Sequence, residues 1–127
     1  KLQNFCYNPN YKIVEFCKRK GIPTICFPRG LDKNYLKFNE IVKPDGINLD
    51  CNLDPIWAKQ KLTNVTLQGG LNPQTLLKPE KEMYNEAKKY LDTFKNVPYI
   101  FNLGHGLVPE TKPDKVEKLI KFVRDYK

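Results

Sequence analysis

The chain has 127 residues, the size of one domain, and its 40% hydrophobic content with seven Phe and seven Tyr is enough to fill a core. The formal net charge is +8, but nearly all of it is lysine spread along three helical segments, with arginine only at 19, 29 and 124. Arginine is the usual bidentate grip on phosphate, so the charge reads as a solvated surface, against a nucleic-acid partner, and no apolar run nears the about 18 residues that cross a bilayer, against a membrane one.

Asn8-Pro9 opens the first predicted helix, with Asn as cap and Pro in the first turn. Tyr11, Ile13, Val14, Phe16 and Cys17 follow at helical spacing, and Gly21 ends it. Residues 22–28, IPTICFP, form a short continuously apolar strand, and Asn34 to about Val42 a second helix stopped by Pro44. GINLD (46–50) is the next strand, and Asp54-Pro55 starts a helix through Trp57 to Lys61. NVTLQGG (64–70) is a third strand; Asn72-Pro73 and Pro79-Glu80 start two more helices. The second runs over about 80–95, with Met83, Ala87, Tyr90, Leu91 and Phe94 on one face. VPYIFNLGHG (97–106) is the fourth strand with its tip, and Pro113-Asp114 opens the last helix, with Val116, Leu119, Ile120 and Val123 inward.

Alternating strands and helices predict an α/β fold with a parallel sheet, and short apolar strands suit burial on both faces. Four βα units make half of an eightfold barrel, and they also suit a doubly wound sheet; the pattern does not choose. In either, function gathers at the carboxyl ends of the strands, where the tips PRG, LDCN, QGG and NLGHG lie.

The cysteines at 6, 17, 26 and 51 include no CxxC, and there is no second histidine to complete a common zinc set. Cys17 and Cys26 read as small core residues, and the set as reduced thiols in a cytosol. The amino terminus, KLQNFCYNPNYK, lacks a long apolar stretch and an initial Met, which predicts no secretory leader and a portion of a longer chain.

The only histidine, His105, stands between Gly104 and Gly106 at the last tip, after Asn102. Glycines there let the backbone bend and a ligand approach, and an imidazole exchanges hydrogen bonds near neutral pH. The plainer alternative is a histidine that merely bonds a carbonyl. Arg29, between Pro28 and Gly30, offers a planar fork to a carboxylate or phosphate, unless it pairs with Asp32. Gln68, Gly69 and Gly70 lead into a capped helix and form either an anion cradle or a tight turn. Asp50 orients a neighbour, acts as a base, or caps a turn. The absence of serine excludes a serine triad, and Cys51 is the one plausible thiol partner for His105.

Taken together, GINLDCNLDPIWAKQKL, LQGGLNP and NLGHGLVPETKP, with the upstream FPRG, resemble the carboxy-terminal part of the uroporphyrinogen decarboxylase family over nearly the whole chain. Gly70 and Asn72 depart from the family's usual LQGNLDP, and Asn still caps a helix. The resemblance implies a (β/α)8 barrel more than twice as long as this chain, of which residues 1–127 would be the C-terminal half, four βα units with the helix before the fifth strand.

It further implies a cytoplasmic homodimeric carboxy-lyase of haem biosynthesis without metal or organic cofactor. Such an enzyme removes four acetate carboxyls of the tetrapyrrole uroporphyrinogen to give coproporphyrinogen. His105 would contact substrate, with Arg29, Asp50, Gln68, Gly69, Asn102, Gly104 and Gly106 in support. The family's arginine-rich segment and essential aspartate would lie before Lys1; Asp50 matches a later strand, and the isolated chain is expected to be inactive. The family's zinc-dependent methyl-transferring relatives fit poorly, since no H-x-C occurs. The reading from another class is a non-catalytic α/β module that binds an anionic partner through its lysines.

Overall fold

The sheet has four parallel strands in the order β1-β2-β3-β4: β1 (Ile25–Cys26), β2 (Gly46–Leu49), β3 (Thr66–Gly69) and β4 (Tyr99–Ile100). A computed structural model describes all residues, 1–127. Ile47 pairs with Cys26 on one side and Leu67 on the other, and Leu67 pairs with Tyr99. Each strand neighbours the one before it in sequence. A doubly wound sheet needs a reversal in that order. None occurs, so the chain is singly wound, the strand order of a barrel segment.

Helices connect the strands: α1 (Asn8–Arg19) leads in, then α2 (Tyr35–Val42), α3 (Pro55–Lys61), α4 (Glu80–Phe94) and α5 (Pro113–Asp125). Their ends follow local chemistry. Asp54 accepts from the Ile56 N–H at 2.9 Å and caps α3; Asn72 accepts from Gln74 at 3.0 Å and caps the 3₁₀ turn Pro73–Leu77 that precedes α4. At Gly21, paired bonds from Gly21 to Lys18 and from Ile22 to Cys17 close α1.

Asn8 is not a cap. A π-helical turn, Gln3–Tyr7, runs straight into α1, and Tyr7 already has helical dihedrals. Proline in a helix clashes with the carbonyl four residues back and leaves it without a donor. The π turn lies just before Pro9, and Asn10 donates its side-chain amide to the Cys6 carbonyl at 2.8 Å.

Along β2 and β3 the side chains alternate. Ile47, Leu49 and Leu67 point to the helices and pack with Tyr7, Val14, Tyr35, Phe38, Val42, Ala58 and Phe94. Tyr99 stacks on Phe94 with ring centroids 4.3 Å apart. A smaller cluster of Leu71, Leu76, Met83, Ala87 and Leu119 joins α4 to α5.

β2 is buried on both faces, as expected, but the other sheet face is open at the outer strands. Ile25 is 51% exposed and Ile100 45%. The outer strands are also shorter than the apolar runs that announce them. Each has one neighbour only, and Pro23, Pro28 and Pro98 lack the N–H a ladder needs. Ile13 and Phe16 on α1 are exposed as well, and so is Ile120 on α5, against the expectation that it faces inward.

Candidate functional site

Because all strands run parallel, the four tips share one side of the sheet. What holds each in place differs. On β2, Asp50 is 6% exposed, and its carboxylate accepts from the Gly30 N–H at 3.0 Å and from the Asn52 N–H at 3.3 Å. Burial alone raises an aspartate's pKa. Here the N–H groups of Gly30 and Asn52, the Cys51 thiol and the nearby Arg29 charge outweigh it and keep the carboxyl below its ordinary range. Asp50 is therefore a charged anchor at neutral pH, and a poor proton acceptor.

Arg29 itself is exposed and forms no ion pair; the alternative pairing with Asp32 does not occur. Beneath the tips, Gln68 donates its amide to the Asn48 side chain at 2.9 Å. Gly69 crosses this pair at φ +75°, and a Cβ there would lie 2.5 Å from the Asn48 Oδ1, so the position requires glycine. Gly69 and Gly70 make a tight turn whose carbonyls accept from the hydroxyls of Tyr99 at 2.7 Å and Tyr90 at 2.8 Å.

A third tyrosine does the same for β2. Tyr35, fully buried, donates to the Asn48 carbonyl at 3.3 Å and accepts from the Asp50 N–H at 3.1 Å. Burial lifts the pKa of all three phenols, that of Tyr90 to about 12, so they remain donors at any physiological pH. None of the three is a candidate from sequence. Their spacing suits core packing, and nothing local marks where a hydroxyl will end.

The tip of β4 bends across the others. The Gly104 N–H bonds the Leu71 carbonyl at 2.7 Å, and a Cβ on Gly104 would come within 2.5 Å of the Cys51 nitrogen. That glycine is thus needed by packing against the β2 tip, whereas Gly106 faces open space. Asn102 is exposed and bonds the adjacent Leu103 N–H. Burial and Asp50 push the Cys51 thiol pKa up, which makes it a weak nucleophile.

His105 is half-buried, with its Nδ1 3.0 Å from the Gly106 carbonyl. A carbonyl only accepts, so that bond places a proton on Nδ1 and leaves Nε2 free for another partner. The ring lines an apolar cleft of about 500 Å³ between the β4 tip and α5, with Phe101, Leu103, Val116 and Ile120. A larger depression, about 880 Å³, lies at the opposite end of the strands beside Lys18, Lys43 and Asp45, away from the tips. No three His, Cys, Asp or Glu side chains are grouped to hold a metal ion.

This arrangement, a histidine after a strand in NLGHG and an LQGG turn beside it, has counterparts among known proteins. The family model described as Uroporphyrinogen decarboxylase (URO-D) matches residues 1–126.

The chain belongs to the uroporphyrinogen decarboxylase family.

Three relatives named uroporphyrinogen decarboxylase illustrate the match. That of Rhodospirillum rubrum is 40% identical over 84% of this chain, and that of Orientia tsutsugamushi 38% over 99%. That of Cereibacter sphaeroides is 33% identical over 96%. The chain spans little more than a third of such a relative, 37% of the Cereibacter protein. No helix of this family member is long and apolar enough to cross a membrane.

Proposed function

We propose that this chain is the C-terminal half of a uroporphyrinogen decarboxylase barrel, a single domain portion over residues 1–127, and carries one wall of its active site. The observation that supports this best is the family match over residues 1–126 in a singly wound parallel sheet. In the whole protein, a cytoplasmic homodimer, the substrate is the tetrapyrrole uroporphyrinogen and the products are coproporphyrinogen and carbon dioxide.

The chemistry needs no metal or organic cofactor. A protonated pyrrole ring is an electron sink, so an acetate carboxylate on it can leave as carbon dioxide while the electron pair moves into the ring. The protein must hold many carboxylates, stabilise charge at the pyrrole nitrogens and supply protons. In this reading His105 binds the substrate through Nε2, and Arg29 receives a side-chain carboxylate. Gln68, Asn102 and the glycines Gly69, Gly104 and Gly106 shape the rim. The remaining catalytic groups of the family fall outside this stretch, so the chain alone binds and does not turn over.

The test mixes the 127-residue chain with uroporphyrinogen for assay, and with uroporphyrin, its stable oxidised form, for titration. We expect saturable uroporphyrin binding, no decarboxylated product, and about 2- to 12-fold weaker binding by His105→Ala, the range of one hydrogen bond. Turnover at enzymatic rates sinks the claim of inactivity. An unchanged affinity in His105→Ala sinks the role of His105. Binding to nucleic acid that falls steeply with salt, without porphyrin binding, would favour a lysine-bound anionic partner instead.

A further inference from the structure

The Pro28-Arg29-Gly30 turn is held from two sides. The Arg29 N–H closes back on the Phe27 carbonyl at 2.9 Å, a three-residue turn around Pro28, whose ring limits the backbone there. Gly30 then reverses at φ +77°, and its N–H points into the Asp50 carboxylate at 3.0 Å. Asp50 is itself fixed: its own N–H is tied to the Tyr35 hydroxyl, and its second oxygen accepts from Asn52. Between these clamped neighbours, Arg29 is the one residue of the turn whose side chain is charged, exposed and without an acid partner. A buried carboxylate is thus used to fix a neighbouring turn, and the turn presents a free guanidinium.

We propose that Asp50 is a positioning residue that acts through Arg29: its carboxylate pins the β1 turn by the Gly30 N–H and so holds the guanidinium at the carboxyl-end rim to receive a ligand carboxylate. The ligand in this statement rests on the decarboxylase reading; the pin does not. A loose loop would have to be ordered at the moment of binding, which costs affinity, so pre-ordering by Asp50 is what a rim arginine gains. Asp50→Asn keeps the size of the side chain and gives up the charge that strengthens its bond to Gly30.

Two measurements test this. The first needs no ligand. The Gly30 amide resonance of the wild-type chain, followed by NMR from pH 6 to pH 2, is expected to titrate below the ordinary carboxylate range, as Asp50 takes up its proton. Around Asp50, Tyr35, Cys51 and Arg29 stay protonated over that range, and Asp32→Asn serves as the control for the carboxylate of the same loop. Hydrogen exchange at Gly30 is expected to speed up at least about tenfold in Asp50→Asn, with Leu67 unchanged, a loss of local protection. A flat Gly30 titration or unchanged Gly30 exchange overturns the pin.

The second is a double-mutant cycle on uroporphyrin binding. Arg29→Ala and Asp50→Asn are each expected to weaken binding about 3- to 10-fold, and the double variant no more than Arg29→Ala alone. Losses that multiply would mean that Asp50 does not act through Arg29. A wild-type chain that does not bind uroporphyrin sinks the decarboxylase reading and the ligand with it, and the Gly30 measurements then decide the pin separately.

Discussion

Asn48 on β2 is 7% exposed, while Ile25 on the same face of the adjoining strand β1 is 51% exposed, although the two strands are paired side by side. The centre of the sheet, β2 and β3, has ladder partners on both sides, four-residue strands and tips tied down by Tyr35, Tyr90, Tyr99 and Asp50. The outer strands have two residues each, one neighbour and open apolar side chains. The difference teaches where the site's rigidity comes from. Asp50, Gln68 and Gly69 sit in the part of the molecule that is complete by itself. His105 sits on the outer strand's tip, whose order is borrowed from the centre through Gly104 against Cys51.

The largest effect that tests this contrast is Leu67→Ala. Truncating a fully buried central side chain is expected to cost about 2–5 kcal/mol in urea unfolding of the chain. A loss as small as that of a surface change would remove the distinction between centre and edge. Next is Tyr99→Phe, which keeps the stack on Phe94 but leaves the Gly69 carbonyl without its donor. We expect about 1–3 kcal/mol, read from the same denaturation curve. A cost near zero would show that the tyrosine holds the tip by packing alone. Smallest is Ile100→Thr on the open face, expected to stay within about 0.5 kcal/mol; a loss of several kcal/mol would mean that this face is covered.

The helices were largely legible in the sequence because their signals are local. Asp54 and Asn72 before Pro55 and Pro73 cap as their spacing foretells, and Gly21 closes α1. Asn8-Pro9 has the same form and misleads, because the helix there starts earlier through a π turn that five preceding residues build together. Strand lengths were overstated where Pro23, Pro28 and Pro98 deny the ladder a donor. The parallel α/β class follows from alternation. The choice between singly and doubly wound does not, since it depends on which strands meet.

At the site, the tips were legible as places and not as mechanisms. NLGHG marks His105, but the reason for Gly104 is the Cys51 backbone, a contact between residues 53 positions apart. The Gly69-Gly70 pair reads equally as cradle or turn, and nothing local foretells the tyrosine hydroxyls from α4 and β4 on its carbonyls. Asp50 could cap, orient or take a proton; its partner Gly30 lies on another strand's loop. Such pairings are tertiary facts with no local trace.

The monotonic strand order also bears on how the chain assembles. Ile25 meets Gly46 after 21 residues, Gly46 meets Thr66 after 20, and Leu67 meets Tyr99 after 32. Closure entropy grows only with the logarithm of loop length, so the longest of these closures costs only about 0.4 kcal/mol more than the shortest. No closure has to wait for a distant part of the chain, and contacts of such modest separation favour quick folding. Extra residues in the connection between β3 and β4, on the exposed side of α4, would therefore burden the fold little.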